Sequence, residues 1–221
     1  MKRLLCTIAL LACLLTDLRA QRHYVFSKDT LGTEWQYVGE RNANCYRIVD
    51  GKLRLYGDIN ELKDTSPTTF VGLPQDEGKF EVNTKLTLTD AENGDEAGVC
   101  VYRSKEGYVQ CALNNYNGQR RLKLRVQLLS HRILLVDRPV GLMSEVLLRI
   151  SFNGSKYSFS YSTDGKRYHW LEQVESGLLD KGLVGGEDRP LVGMFCYNAN
   201  TKYYAGFTFG EFHFFNYDAK E

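Results

Sequence analysis

Val146-Leu-Leu-Arg-Ile-Ser-Phe-Asn-Gly-Ser-Lys-Tyr-Ser-Phe-Ser-Tyr-Ser-Thr-Asp-Gly-Lys-Arg-Tyr-His-Trp170 is the stretch that decides the fold. Apolar and polar residues alternate on both sides of Asn153-Gly154 and again around Asp164-Gly165, which is the period of a strand with one buried face. Asn-Gly is the favoured pair for a two-residue type I′ turn, because both central positions need positive φ. Read that way, Phe152 faces Ser155, Ile150 faces Tyr157, Leu148 faces Phe159 and Val146 faces Tyr161. Leu147, Arg149 and Ser151 then meet Ser160, Ser158 and Lys156 on the other face. The same count around Asp164-Gly165 sets Tyr161 against Tyr168 and Phe159 against Trp170. Trp170 therefore joins Trp35 among the expected core residues, while His169 is expected on the polar face beside Ser160. A slip of one residue would send every large apolar group to solvent.

Short alternating runs of this kind recur along the chain. Lys52 to Tyr56, Lys79 to Leu88, Ala97 to Tyr102, Tyr108 to Leu113, Leu122 to Leu129, Leu191 to Tyr197 and Ala205 to Tyr217 all read as strands. No window of useful length carries a helical apolar stripe. The last run changes phase near Gly210-Glu211, which predicts a β-bulge there. Pro67, Pro74, Pro139 and Pro190 are expected between strands. With no linker, repeat or low-complexity segment, the chain reads as one all-β sandwich over 21–221.

The first twenty residues read as an export leader. Lys2 and Arg3 precede an apolar stretch from Leu4 to Leu15, and Leu18-Arg19-Ala20 before Gln21 offers a small-residue cleavage site. A competing reading makes Cys13, after Leu10-Leu11-Ala12, a lipidated N-terminus. Either implies a periplasmic or extracellular address, and no membrane-spanning segment follows. Removing Lys2, Arg3, Arg19 and Asp17 from 28 basic and 27 acidic groups leaves 25 and 26, a net charge near −1. Long-range attraction to nucleic acid is therefore not expected. The basic run Gln119-Arg-Arg-Leu-Lys-Leu-Arg125 alternates, so it reads as a solvated strand face.

Cys45, Cys100, Cys111 and Cys196 remain after the leader, and four cysteines in an exported domain allow three pairings. The hairpin around Ser104-Lys-Glu106 would bring Cys100 near Cys111. Strand parity puts those two thiols on opposite faces, however, which argues against that bridge and leaves buried free thiols as an alternative.

A set of ordered segments carries a family likeness: Phe26-Ser-Lys-Asp-Thr-Leu-Gly-Thr-Glu-Trp-Gln-Tyr-Val-Gly39, Gly51-Lys-Leu-Arg-Leu-Tyr-Gly57, Thr69-Phe-Val71, Phe80-Glu-Val-Asn-Thr-Lys-Leu86, Glu96-Ala-Gly-Val-Cys-Val-Tyr102, Val146-Leu-Leu-Arg-Ile150, Tyr157-Ser-Phe-Ser-Tyr-Ser-Thr-Asp-Gly165 and the aromatic tail. In this order and spacing they resemble the C-terminal concanavalin A-like domain of family-43 glycoside hydrolases, the β-xylosidase and α-arabinofuranosidase group. The resemblance covers nearly all of 21–221. It implies a jelly-roll sandwich of two antiparallel sheets and a place in plant-polysaccharide use. In that family the catalytic carboxylates belong to a five-bladed propeller. Five blades of about 40 to 50 residues would need all of a segment that the sandwich already occupies. The chain departs from the family after Phe70-Val71, where it reads Gly72-Leu-Pro-Gln75 in place of an Arg-Arg-Gln-like stretch.

No Glu-x-Asp-x-x-Glu run sets paired acids on one strand face, and no Gly-x-Ser-x-Gly elbow is present. Glu92, Asp95 and Glu96, like Asp76 and Glu77, read as turn acids. His23, His131, His169 and His213 lack metal-ligand spacing, and a structural calcium, which sandwiches of this kind often carry, has no recognisable ligand loop. The expectation is a non-catalytic module. A sugar site needs flat aromatics flanked by amides or carboxylates. Tyr102, Tyr108, Gln110, Asn114 and Tyr116 share one face of a hairpin and form the candidate glycan site. The alternatives are that this face packs against a second layer, that the module docks on a separate glycoside hydrolase, or that it is itself a hydrolase. Asn153-Gly-Ser155 also matches a glycan acceptor, but the turn accounts for it.

Overall fold

A computed structural model describes residues 21–39, 45–65, 68–199 and 208–220. The leader and its Cys13 alternative lie outside the described residues, as do Pro67 and residues 205–207 of the last expected strand. Among the described residues the elements in chain order are β1 (Arg22–Tyr24), β2 (Gln36–Tyr37), β3 (Tyr46–Val49), β4 (Lys52–Tyr56), β5 (Phe70–Pro74), β6 (Lys79–Thr89), β7 (Glu96–Ser104), β8 (Gly107–Tyr116), β9 (Gln119–Leu128), β10 (His131–Gly141), β11 (Glu145–Phe152), β12 (Lys156–Ser162), β13 (His169–Glu175), β14 (Leu191–Tyr197) and β15 (Phe209–Lys220), with a 3-10 turn (Ser176–Leu179) and one α-helical turn, α1 (Lys181–Val184), between β13 and β14. All strand pairings within the sheets are antiparallel.

They make two sheets. One runs β13-β12-β11-β6-β15-β4-β3, with β1 also on β15, and the other runs β10-β9-β8-β7-β14-β5-β2. Alternation explains the layering: each strand sends one set of side chains inward, and two apolar faces must cover each other. Leu53, Leu86, Leu148, Ile150, Phe159, Phe212 and Phe215 from the first sheet meet Val71, Val99, Val109, Cys111, Leu113, Leu124 and Met194 from the second in one core. Trp35 is buried there, edge-on to Tyr24 at 5.0 Å and to Phe215 at 5.3 Å.

The first hairpin keeps the expected faces in a different register. Phe152 pairs with Tyr157, Ile150 with Phe159 and Leu148 with Tyr161. The pairing is displaced by two residues, so each side chain stays on its expected face. The cause is the turn. Gly154 has positive φ but Asn153 does not, and Asn153 Oδ1 accepts from the Ser155 and Lys156 amides at 3.0 and 2.8 Å. This Asx turn leaves four residues between the paired positions instead of two.

The second hairpin departs further. Asp164 Oδ1 caps its own turn, taking the Lys166 and Arg167 amides at 2.8 and 2.9 Å. Tyr161 faces His169, Ser160 faces Trp170, and a bulge follows before Phe159 faces Glu172. Leu171 fills the core position, while Trp170 is 56% exposed on the polar face. Trp170 thus takes the place beside Ser160 expected for His169, and His169, opposite Tyr161, is also exposed.

Other boundaries also shift. Pro139 lies inside β10 and Pro74 ends β5, places open to proline because β10 is an edge strand and Pro74 terminates its strand. The phase change in β15 falls between Phe212 and Phe215 instead of at Gly210-Glu211. Phe212, Phe215 and Tyr217 point inward, and Phe209 turns outward under the Arg54 guanidinium. Cys100 pairs with Gln110 and Cys111 with Val99, so the two thiols sit on opposite faces, and the four described cysteines are buried and form no disulfide with one another.

Candidate functional site

The expected glycan face lies on the outside of the second sheet. β7 and β8 pair Tyr102 with Tyr108, Cys100 with Gln110 and Glu96 with Asn114, so the topology does bring the candidate residues together. The Tyr102 and Tyr108 rings stack with centroids 5.9 Å apart. The segment leading from β4 to β5 lies over them. Leu62 and Phe70 join Cys100, Tyr102, Tyr108, Ala112, Leu191 and Phe195 in a second apolar cluster on this outer face. Tyr102, Tyr108, Gln110 and Asn114 are buried, and among the five Tyr116 alone is exposed, at 51%. Lys123 Nζ stands 5.5 Å from its ring centroid.

The covering segment is held by charge. Glu61 takes Arg132 Nη1 at 2.7 Å and Lys63 Nζ at 2.6 Å. Burial alone would raise the Glu61 carboxyl. The Lys63 and Arg132 hydrogen bonds outweigh it and hold the group below its ordinary value. Beneath the segment, Glu96 receives both Arg125 Nη1 contacts, at 2.6 and 2.9 Å, and the Gln110 amide at 2.8 Å. Asn114 Nδ2 donates to the Gly94 carbonyl at 3.0 Å. Burial pushes the Tyr102 and Tyr108 phenols far above their usual range, so neither serves proton transfer near neutrality. This face is a packed layer around the Glu96 carboxylate, in which Tyr108 Oη, Asn114 Oδ1 and Gln127 Oε1 are buried without a hydrogen-bond partner.

The other turn acids are occupied by structural partners. Asp95 accepts from the Glu92 and Ala199 amides, each at 2.8 Å, and from the Thr208 hydroxyl. Asp76 pairs with Arg22, and Glu77 with Arg189 at 2.9 Å. Among the described residues no group of three or more His, Cys, Asp or Glu side chains could hold a metal ion. No helix among them is long and apolar enough to cross a membrane.

The outer face of the first sheet is open. β15, β6, β11 and β12 present Asn216, Asn83, Arg149 and Ser160 in one line, and Asp218, Glu81, Ser151 and Ser158 in the next. All are partly exposed. Ser151 Oγ lies 3.4 Å from Glu81, and Gln173 Nε2 donates to Ser158 at 2.8 Å. The Arg149 guanidinium stacks 3.5 Å from the Tyr168 ring centroid. Several cations here sit on carboxylates: Lys52 and Arg54 on Glu211, Lys85 on Glu145, Arg149 on Glu81 and Lys156 on Glu175. Burial, then Lys52 and Lys85, pulls the His213 imidazole below its ordinary value, so the ring is neutral at pH 7. Sequence reading missed this face because two of its large aromatics, Trp170 and Tyr168, were expected on the inward side. The signal was present as the run Ser158, Ser160, Asn83 and Asn216 on outward positions.

Two antiparallel sheets with these connections define a concanavalin A-like sandwich. Residues 23–217 match the beta xylosidase C-terminal concanavalin A-like domain, and the chain belongs to that family. It is 25% identical over 137 residues to a non-reducing end alpha-L-arabinofuranosidase, BoGH43B, of Bacteroides ovatus, a match covering 61% of this chain and 26% of that protein. A putative beta-xylosidase of Escherichia coli is 26% identical over 143 residues, covering 62% of this chain and 26% of the relative. The structure of Bacteroides ovatus xyloglucan PUL GH43B superposes with a TM-score of 0.83 at 19% identity, over 92% of this chain and 40% of that one. The chain thus spans about a quarter of the length of these two curated relatives.

Proposed function

We propose that the chain is a non-catalytic module of glycoside-hydrolase systems acting on xylan- or arabinose-bearing glycans, and that it binds such glycans on the open face of its first sheet. The observation carrying this reading is that the open face of the first sheet carries two lines of half-exposed amides, hydroxyls and paired charges. Hydroxyl-rich neutral ligands are recognised by that chemistry. Family membership supplies the substrate class, since the similar proteins are named as an arabinofuranosidase and a xylosidase. The candidate face on the second sheet supports the reading less well, because four of its five residues are covered. The test has two arms. Purified protein should be retained by insoluble arabinoxylan and should release no sugar from pentose-based chromogenic glycosides. Absence of retention, or turnover that survives repurification, overturns the proposal.

A second reading, docking on a separate glycosidase, is favoured by one observation. Edge strand β10 exposes Ile133, Leu134 and Leu135 consecutively, at 42%, 53% and 39%. Such a run is more apolar than a free margin needs. Co-sedimentation with a family-43 catalytic propeller stripped of its own sandwich, lost in Leu134→Glu, would support docking.

A further inference from the structure

We infer that the first sheet carries an extended binding track running across its strands, along Asn216, Asn83, Arg149, Ser160 and Trp170, and that its ligand is a neutral polysaccharide main chain. The inference rests on the glycan-binding reading above and specifies where and how that binding occurs.

Register places the track. Asn216 pairs with Asn83, Asn83 with Arg149, Arg149 with Ser160 and Ser160 with Trp170, so the five side chains share one face in one transverse line. Four inter-strand steps of about 4.8 Å give a line of roughly 19 Å, long enough for several pyranose units end to end. Its chemistry changes along its length. At one end the exposed Trp170 ring offers a flat apolar surface. In the middle the Arg149 guanidinium lies flat on the Tyr168 ring, and at the far end two amides face each other with Asn216 Nδ2 3.4 Å from Asn83 Oδ1. That sequence suits a chain of sugar rings, which presents apolar faces and equatorial hydroxyls in alternation.

One observation bears on the occupant. The track and the line beside it carry one cation, Arg149, against two carboxylates, Glu81 and Asp218, with Glu81 3.5 Å from Arg149. An acidic polymer laid along the track would meet net negative charge, whereas a neutral one would not.

Native affinity electrophoresis of the full chain in gels containing neutral arabinoxylan, polygalacturonate or no polymer tests this. Retardation is expected with arabinoxylan alone, and Trp170→Ala should weaken it about tenfold, the scale of losing one aromatic stacking surface. Asn83→Ala should weaken it as well, and Tyr116→Ala, on the other sheet, should leave it unchanged. Trp170 is exposed and Asn83 partly so, and matching thermal midpoints will verify that the variants fold. If the parent protein is retarded but Trp170→Ala and Asn83→Ala match it, or only Tyr116→Ala loses binding, the track is overturned while glycan binding stands. Stronger retardation by polygalacturonate overturns the neutral ligand. No retardation in any gel overturns both the track and the reading beneath it.

Discussion

The ion pair under the covering segment makes a quantitative prediction. Glu96 is 2% exposed, and Arg125 reaches both of its oxygens, with a side-chain exposure of 13%. Gln110 and Asn114 point their amides at the same carboxylate. Replacing Glu96 by Ala strands a guanidinium in a nearly dry site and removes the acceptor of the Gln110 hydrogen bond. Breaking one side of a buried pair costs about 3 to 5 kcal/mol. For a domain of this size that lowers the thermal midpoint by roughly 6 to 20 °C. Arg125→Met alone should cost a comparable amount, because it leaves an uncompensated carboxylate. Glu96→Gln with Arg125→Met should recover much of the loss, since neither charge then remains and Gln retains an acceptor for Gln110. Urea denaturation of the parent, Glu96→Gln, Arg125→Met and the double variant closes a double-mutant cycle with an expected coupling above about 1 kcal/mol. Additive effects, or single-variant losses below about 1 kcal/mol, would refute the account of Glu96 as the structural anchor of this face.

Three further outcomes are expected. The Glu61 tether has a folded pKa below its unfolded value, so its stabilisation is present above the ordinary glutamate range and lost as pH falls through the folded value; protection factors at residues 57–65, each taken against the intrinsic exchange rate at the same pH, should be lower at pH 3 than at pH 6, with no such drop in Glu61→Gln. Burial raises the Cys100 and Cys196 thiols strongly and pushes Cys111 up to about 12; none of the three should react with a thiol reagent at pH 8 until denaturant is added, and rapid labelling of native protein would contradict the packing. A Cβ on Gly193 would stand 2.1 Å from the Val71 carbonyl oxygen and 2.4 Å from Gly72 Cα; Gly193→Ala should cost about 3 kcal/mol in urea unfolding, and a neutral result would contradict the spacing of β14 and β5.

Faces were more legible in the sequence than registers were. The alternation through Val146–Phe152 and Lys156–Tyr161 fixed which side chains face inward, and a two-residue displacement leaves that unaltered. The turn was misjudged because Asn153 and Asp164 act through their side-chain oxygens, an option that competes with the positive-φ conformation and cannot be told from it by composition. At the second hairpin the turn shifted the pairing by one residue, setting Tyr161 against His169 and Ser160 against Trp170. Leu171 took the core position, and Trp170, a residue whose size argues for burial, went to the surface. The outer face of the second sheet was grouped correctly from Tyr102, Tyr108, Gln110 and Asn114. Its closure was not legible, because the cover comes from Leu62, in a segment without strand periodicity, and its tether, Glu61 to Arg132, spans 71 positions. β10 was missed for a similar reason: Pro139 sits within it, and Ile133-Leu-Leu135 does not alternate.

That same strand limits how the molecule meets its neighbours. The pairing of β10 with β9 is irregular between Leu134 and Val136 and again between Pro139 and Gly141. Its margin therefore lacks the straight, evenly spaced row of donors and acceptors on which a foreign chain would template itself, despite three consecutive aliphatic residues. Whatever adheres there must do so through those aliphatic groups, laterally and without extending the sheet, so molecules crowded at high concentration are denied a route to filament growth along this border.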